Sequence, residues 1–154
     1  EDLLCVSHLH PYKNIERLLV AIRLYKRSHK SDFKLYIAGK KADTRYVKRI
    51  EKLVVDYGLQ NDVIFTGVVT KSELKFAYSK CKLFVFPSLC ESSGYTLIEA
   101  MSCGAAILAS DRTAIPYTCR EGAQYFDGYS ANDLLSKLET LLIDDIGLIS
   151  FLLI

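Results

Sequence analysis

The chain has 154 residues, 50% of them hydrophobic and 25% charged, enough to bury the core of one globular domain. Its 20 Lys and Arg are interleaved with 18 Asp and Glu, for a formal net charge of +2. That balance argues against a nucleic-acid partner and leaves room only for a local basic patch facing a phosphate or an anionic membrane surface.

The acidic Glu1-Asp2 start, followed by an apolar stretch broken by His8, His10 and Lys13, lacks the form of a signal peptide, and with no initiator Met the chain is expected to begin within a longer protein. Short β-branched or aromatic runs then alternate with longer helical patterns, the pattern of βαβ units. Strands are predicted over residues 3–7, 34–38, 63–66, 83–86, 106–109 and 124–126. The first helix is predicted over 15–28, where Ile15, Leu18, Leu19, Ile22 and Tyr25 recur at three- and four-residue spacing behind Asn14 as N-cap. Further helices follow over 45–57, closed by Gly58; over 72–80, opened by Thr70 or Ser72; over 96–103, closed by Gly104; and over 132–143.

These elements predict an α/β fold: a Rossmann-like, doubly wound, mainly parallel sheet flanked by helices, in a single domain over 1–154 with its core at 3–142. The apolar end, residues 143–154, is shorter than the roughly 20 residues of a membrane span and reads as a truncated segment. The five cysteines, Cys5, Cys81, Cys90, Cys103 and Cys119, form neither a CxxC pair nor a metal-spaced cluster with His. They are expected to be reduced, small apolar residues of a cytosolic chain, and no metal site is expected.

Ligands of doubly wound sheets bind beyond the C-terminal strand ends, where strand order reverses, so the residues following each strand are the site candidates. After the first strand, Ser7-His8-Leu9-His10-Pro11-Tyr12-Lys13-Asn14 brings two His and a Lys to a helix N-terminus. Such a terminus favours anions, and Lys13 adds a full charge, so the loop reads equally as a phosphate site or as a polar connection. Gly39 after the second strand is read first as a turn glycine and second as a place of close backbone approach. Gly67-Val68-Val69 after the third presents apolar residues suited to a flat base.

The fourth strand empties into Pro87-Ser88-Leu89-Cys90-Glu91-Ser92-Ser93-Gly94, and a helix starts at or just after Gly94. Amides of Gly94, Tyr95 and Thr96 at that start suit a diphosphate or a sugar hydroxyl. Were all eight steps from Glu91 to Glu99 helical, the two carboxylates would lie about 12 Å apart along the axis and some 80° out of phase. They are therefore no acid/base pair, and they do not match a retaining glycosidase, whose carboxyls lie about 5 Å apart. Two readings stand: a grip on the two ends of one ligand, or an electrostatic cap at Glu91 with a buried or paired Glu99.

The run Pro87-Ser88-x-x-Glu91-Ser92-x-Gly94-x-x-x-x-Glu99-Ala100-Met101-x-x-Gly104 resembles the E-x7-E signature of glycosyltransferase family four, retaining enzymes of the GT-B fold. Collinear blocks at residues 6–14, 35–39, 63–69 and 83–88 extend the resemblance over about 3–142. It implies the C-terminal, donor-binding half of a two-domain enzyme active in polysaccharide or glycolipid assembly. Glu99 would hold the ribose, the amides of Gly94, Tyr95 and Thr96 the distal phosphate and sugar, and Glu91 the sugar hydroxyls. Lys13 would neutralise the diphosphate, and Gly39 and the backbone at 67–69, with Val69, would border the nucleotide.

The implied donor is a UDP-, GDP- or ADP-sugar, with no cofactor or metal. The implied partner is an N-terminal acceptor-binding domain, in a cytoplasmic enzyme expected to attach peripherally at the inner face of the membrane. His8 stands where the family has an arginine, and Tyr117 follows Pro116 where the family commonly has Glu. The His8 departure also fits a different outcome, a GT-B module that binds nucleotides or a partner without catalysis. Two further readings fit less well: a nucleotide-sugar epimerase would arrange its carboxylates differently, and a receiver-like signalling domain would need an acidic cluster after the first strand.

Overall fold

A computed structural model describes residues 2–143 of the chain. Six strands form one sheet: β1 (Leu3–Val6), β2 (Leu35–Ala38), β3 (Val63–Gly67), β4 (Leu83–Phe86), β5 (Ile107–Ser110) and β6 (Gln124–Phe126). Every pairing among them is parallel, in the order β3-β2-β1-β4-β5-β6. The doubly wound expectation is met, with a fully parallel sheet in place of a mainly parallel one. Among the described residues five α-helices connect the strands, α1 (Ile15–Ser28), α2 (Thr44–Asp56), α3 (Lys71–Lys80), α4 (Tyr95–Ser102) and α5 (Ile115–Cys119), and α6 (Ala131–Ile143) follows β6.

Side chains alternate across the strands, so each strand feeds two cores. Leu3, Cys5, Leu35, Ile37, Leu83 and Val85 face α1, α2 and α6, whereas Leu4, Phe84, Phe86, Ile107 and Ala109 face α3, α4 and α5. Both β4 and β5 are buried at every position, which explains why they read as continuous apolar runs with no polar alternation. The chain reverses direction of travel across the sheet between β1 and β4, the two central strands. Their C-terminal ends therefore open a crevice.

Most element ends fall within a residue of expectation, and of the two openers offered for α3 it is Thr70 that caps, but two local features differ. The five-residue α5, with Pro116 in its first turn, had no periodic signal long enough to mark it. Asn14 does stand at the N-cap position of α1, yet its backbone is left-handed (φ 58°) and its side chain does not cap the helix. Thr70 caps α3 through a reciprocal capping box with Glu73. The apolar end at 144–154 lies outside the described residues.

Candidate functional site

At the reversal point β1 runs into the loop 7–14 and β4 into the loop 87–94. A single 3-10 turn, Pro11–Lys13, brings Lys13 to the mouth of the crevice, and the left-handed Asn14 swings the chain into α1. The two loops are stitched together by the Leu89 N–H donating to the Tyr12 carbonyl at 2.8 Å and the Ser88 hydroxyl donating to the same carbonyl at 3.4 Å.

Over this seam the Lys13 ammonium forms an ion pair with the Glu91 carboxylate, each side chain only 15% exposed. The same ammonium lies 5.1 Å from the Tyr12 ring centroid and 5.7 Å from that of Phe86. Ring faces attract cations, so carboxylate and aromatics together hold one positive charge at the crevice mouth. His10 stacks on Tyr12, centroids 5.5 Å apart, and stiffens the turn from outside.

The helical start expected near Gly94 falls at Tyr95, so Glu91 belongs to the loop and only Glu99 rides on α4. Gly94 has φ 60°, and a Cβ there would stand 3.0 Å from Leu97 Cδ1, which explains the glycine. Gly94 has no side chain to cap α4, and the first N–H groups of a helix lack intrahelical partners, so amides at Tyr95 and Thr96 present donors and a partial positive charge. Glu99 is exposed with no ion-pair partner among the described residues, which removes the expectation of a buried or paired helix residue. Glu91 is engaged by Lys13, in the loop that precedes α4.

Residues that carried no signal in the sequence hold this loop in place. Thr113 Oγ1 accepts from the Glu91 N–H at 2.9 Å, and Thr113 is itself left-handed (φ 46°), a costly state for a β-branched residue. Thr118 Oγ1, on α5, donates to the Ser93 carbonyl at 3.2 Å. Hydroxyls reaching across 22 and 25 residues leave no local pattern to read.

The remaining candidates sit beside the crevice. His8 is exposed, and its Nδ1 accepts from the Lys40 backbone N–H at 3.0 Å, so the ring carries its proton on Nε2 and offers that N–H as a donor. Gly39 donates its N–H to Gly67 O at 2.8 Å, and a Cβ on it would lie 2.1 Å from Ser7 O. Close approach, not turn geometry alone, requires that glycine. Val69 is half-buried and lines a cavity of about 360 Å³ between α3 and the sheet, shared with Tyr36, Thr66 and Leu74. It stands apart from the Lys13–Glu91 pair. Among the described residues no group of three His, Cys, Asp or Glu is placed to hold a metal ion, and no helix is long and apolar enough to cross a membrane.

A 3-2-1-4-5-6 parallel sheet with a lysine and a glycine-led helix start at its reversal point defines a Rossmann-like domain of the kind forming the C-terminal half of GT-B glycosyltransferases. Residues 1–148 match the family described as glycosyl transferases group 1, and the chain belongs to that family. A serotype-specific mannosyltransferase, WbdA, from Escherichia coli is 36% identical over 146 residues, 94% of this chain and 18% of the relative. The chain thus spans under a fifth of that relative's length. Sucrose-phosphate synthase from Thermosynechococcus elongatus superposes with TM-score 0.81 at 27% identity, over 94% of this chain and 37% of that one. The C-terminal domain of the group 1 glycosyl transferase LpcC from Francisella tularensis superposes with TM-score 0.83 at 20% identity, over 97% and 80%.

Proposed function

We propose that the chain is the donor-binding half of a retaining glycosyltransferase that takes a sugar from a nucleoside diphosphate sugar. The observation that carries the reading is the Lys13 charge held at the reversal point by Glu91, in the loop that leads to the uncapped start of α4. In the reaction the anomeric C–O bond breaks and its electron pair leaves with the diphosphate, while an acceptor hydroxyl oxygen bonds the anomeric carbon on the same face and its proton passes to the departing diphosphate oxygen. Negative charge grows on the diphosphate during bond breaking, so a lysine and a helix start aimed there stabilise the transition state more than the ground state. Such electrostatic catalysis requires no metal.

In this reading Lys13 and the amides of Gly94, Tyr95 and Thr96 receive the diphosphate. Glu91 exchanges its lysine for sugar hydroxyls, Glu99 holds the ribose, and His8 donates through Nε2. Gly39 and the backbone near Val69 border the nucleoside. The acceptor comes from an N-terminal partner domain, and the parent enzyme works in the cytoplasm, attached peripherally to the membrane face where its acceptor lies. The mannosyltransferase name of the WbdA relative makes a hexose donor the first to try. A module that binds nucleotide without catalysis is the second reading, favoured by His8 in place of an arginine.

Calorimetric titration of the chain with UDP, GDP and ADP tests both readings. Binding of one of them, lost in Lys13→Ala and weakened in Glu99→Ala, is expected. No binding at millimolar nucleotide rejects the donor reading, and binding that survives both substitutions rejects the assignment of the site.

A further inference from the structure

The loop following β6 lies outside every sequence motif, yet it is tied to the crevice by one side chain. Asn14, 3% exposed, donates both amide hydrogens across the structure: Nδ2 to Pro87 O at 3.0 Å and to Gly128 O at 2.9 Å. Pro87 opens the loop that carries Glu91; Gly128 lies beyond β6. Asn14 itself directly follows Lys13 in a left-handed conformation, so its two hydrogen bonds fix the residue that aims the lysine.

The Gly128 anchor is itself immobilised. A Cβ there would meet Arg112 Cγ at 3.0 Å, Leu89 Cδ2 at 3.1 Å and Ser110 Cβ at 3.2 Å. Its N–H donates to Asp111 Oδ1 at 3.2 Å, and Arg112 bridges Asp111 and Asp127 on either side. A buried amide with both hydrogens satisfied by carbonyls from separate loops is costly to disturb and fixes a single geometry.

We infer that Asn14 is the positioning residue of the phosphate grip: it clamps the β1, β4 and β6 loops together so that the Lys13 ammonium stays over Phe86 and beside Glu91. The inference deepens the donor-site reading and rests on it for the ligand, but the clamp has a readout without one. Asn14→Gly keeps the left-handed backbone and removes both tethers. Acylation of Lys13 by an amine-selective reagent, scored by peptide mass spectrometry against the exposed Lys52, is expected to rise at least about threefold as the ion pair loosens. Affinity for a nucleoside diphosphate is expected to fall about tenfold as the Lys13 ammonium loses its aim, with the matching monophosphate changing less than about twofold.

Gly128→Ala, which leaves Lys13, Glu91 and Asn14 in place and displaces one anchor, is expected to raise Lys13 acylation in the same direction, and it decides the matter if Asn14→Gly does not fold. Lys13 acylation unchanged in a folded variant overturns the inference, as does an equal loss of diphosphate and monophosphate affinity. If the unaltered chain binds no nucleotide, the donor reading fails while the acylation ratio still tests the clamp.

Discussion

Lys13 and Glu91, 78 residues apart in sequence, close an ion pair directly over the seam between β1 and β4. The carboxylate supplies the anion that the lysine would otherwise find only in a ligand. On the proposed donor reading, an incoming diphosphate must therefore displace a partly buried carboxylate before it gains the full lysine charge.

Glu91→Gln is accordingly expected to tighten nucleoside diphosphate binding by about two- to fivefold, the range set by ion pairs worth up to ~1 kcal/mol. The same variant is expected to slow sugar transfer by the parent enzyme, because the sugar hydroxyls lose their acceptor. Calorimetry on the chain checks the first part. Diphosphate affinity that is unchanged or weaker would mean that the phosphates never reach Lys13.

Which parts of this site could be read from residues alone follows from where each signal lives. The strands were legible because β4 and β5 are buried on both faces and so appear as unbroken apolar runs. The placement of Lys13, Glu91 and Gly94 at one crevice was legible because they follow the ends of the two strands between which the strand order reverses. Asn14, Thr113 and Gly128 were not, since their roles consist of hydrogen bonds and contacts spanning 16 to 114 residues. Asn14 also misled: its residue type favours helix caps, whereas the tertiary structure recruits the same amide as a donor to two distant carbonyls.

Gly39 offers a sharper contrast among glycines than any turn preference. A Cβ at Gly39 would meet Ser7 O at 2.1 Å with φ at 148°, whereas at Gly104, φ 72°, it would meet nothing within 4 Å. Gly104→Ala is expected to cost only the left-handed backbone penalty of about 1 kcal/mol. Gly39→Ala must in addition push the β1 and β2 ends apart beside His8, and a loss of about 3 kcal/mol or more is expected. Urea unfolding of the two variants measures both, and equal costs would refute the close-approach account.

The α3 start carries a pH-dependent contribution. Glu73 accepts from the Thr70 hydroxyl and from the Thr70 N–H, both at 2.7 Å, and these hydrogen bonds hold its carboxyl below its ordinary value of 4.5. A carboxyl depressed in the folded state contributes stability that is complete above the unfolded value and is lost as pH falls through the folded one. Glu73→Gln is therefore expected to lower the melting temperature at pH 7, by an amount that shrinks as pH falls below 4.5 and vanishes once the wild-type carboxyl is protonated. Thr70→Ala removes the cap at every pH, at about 1 kcal/mol, so its melting-temperature deficit should persist in acid. A Glu73→Gln deficit that stayed constant from pH 7 to pH 3 would show that shape alone, and not the carboxylate charge, accounts for the capping box.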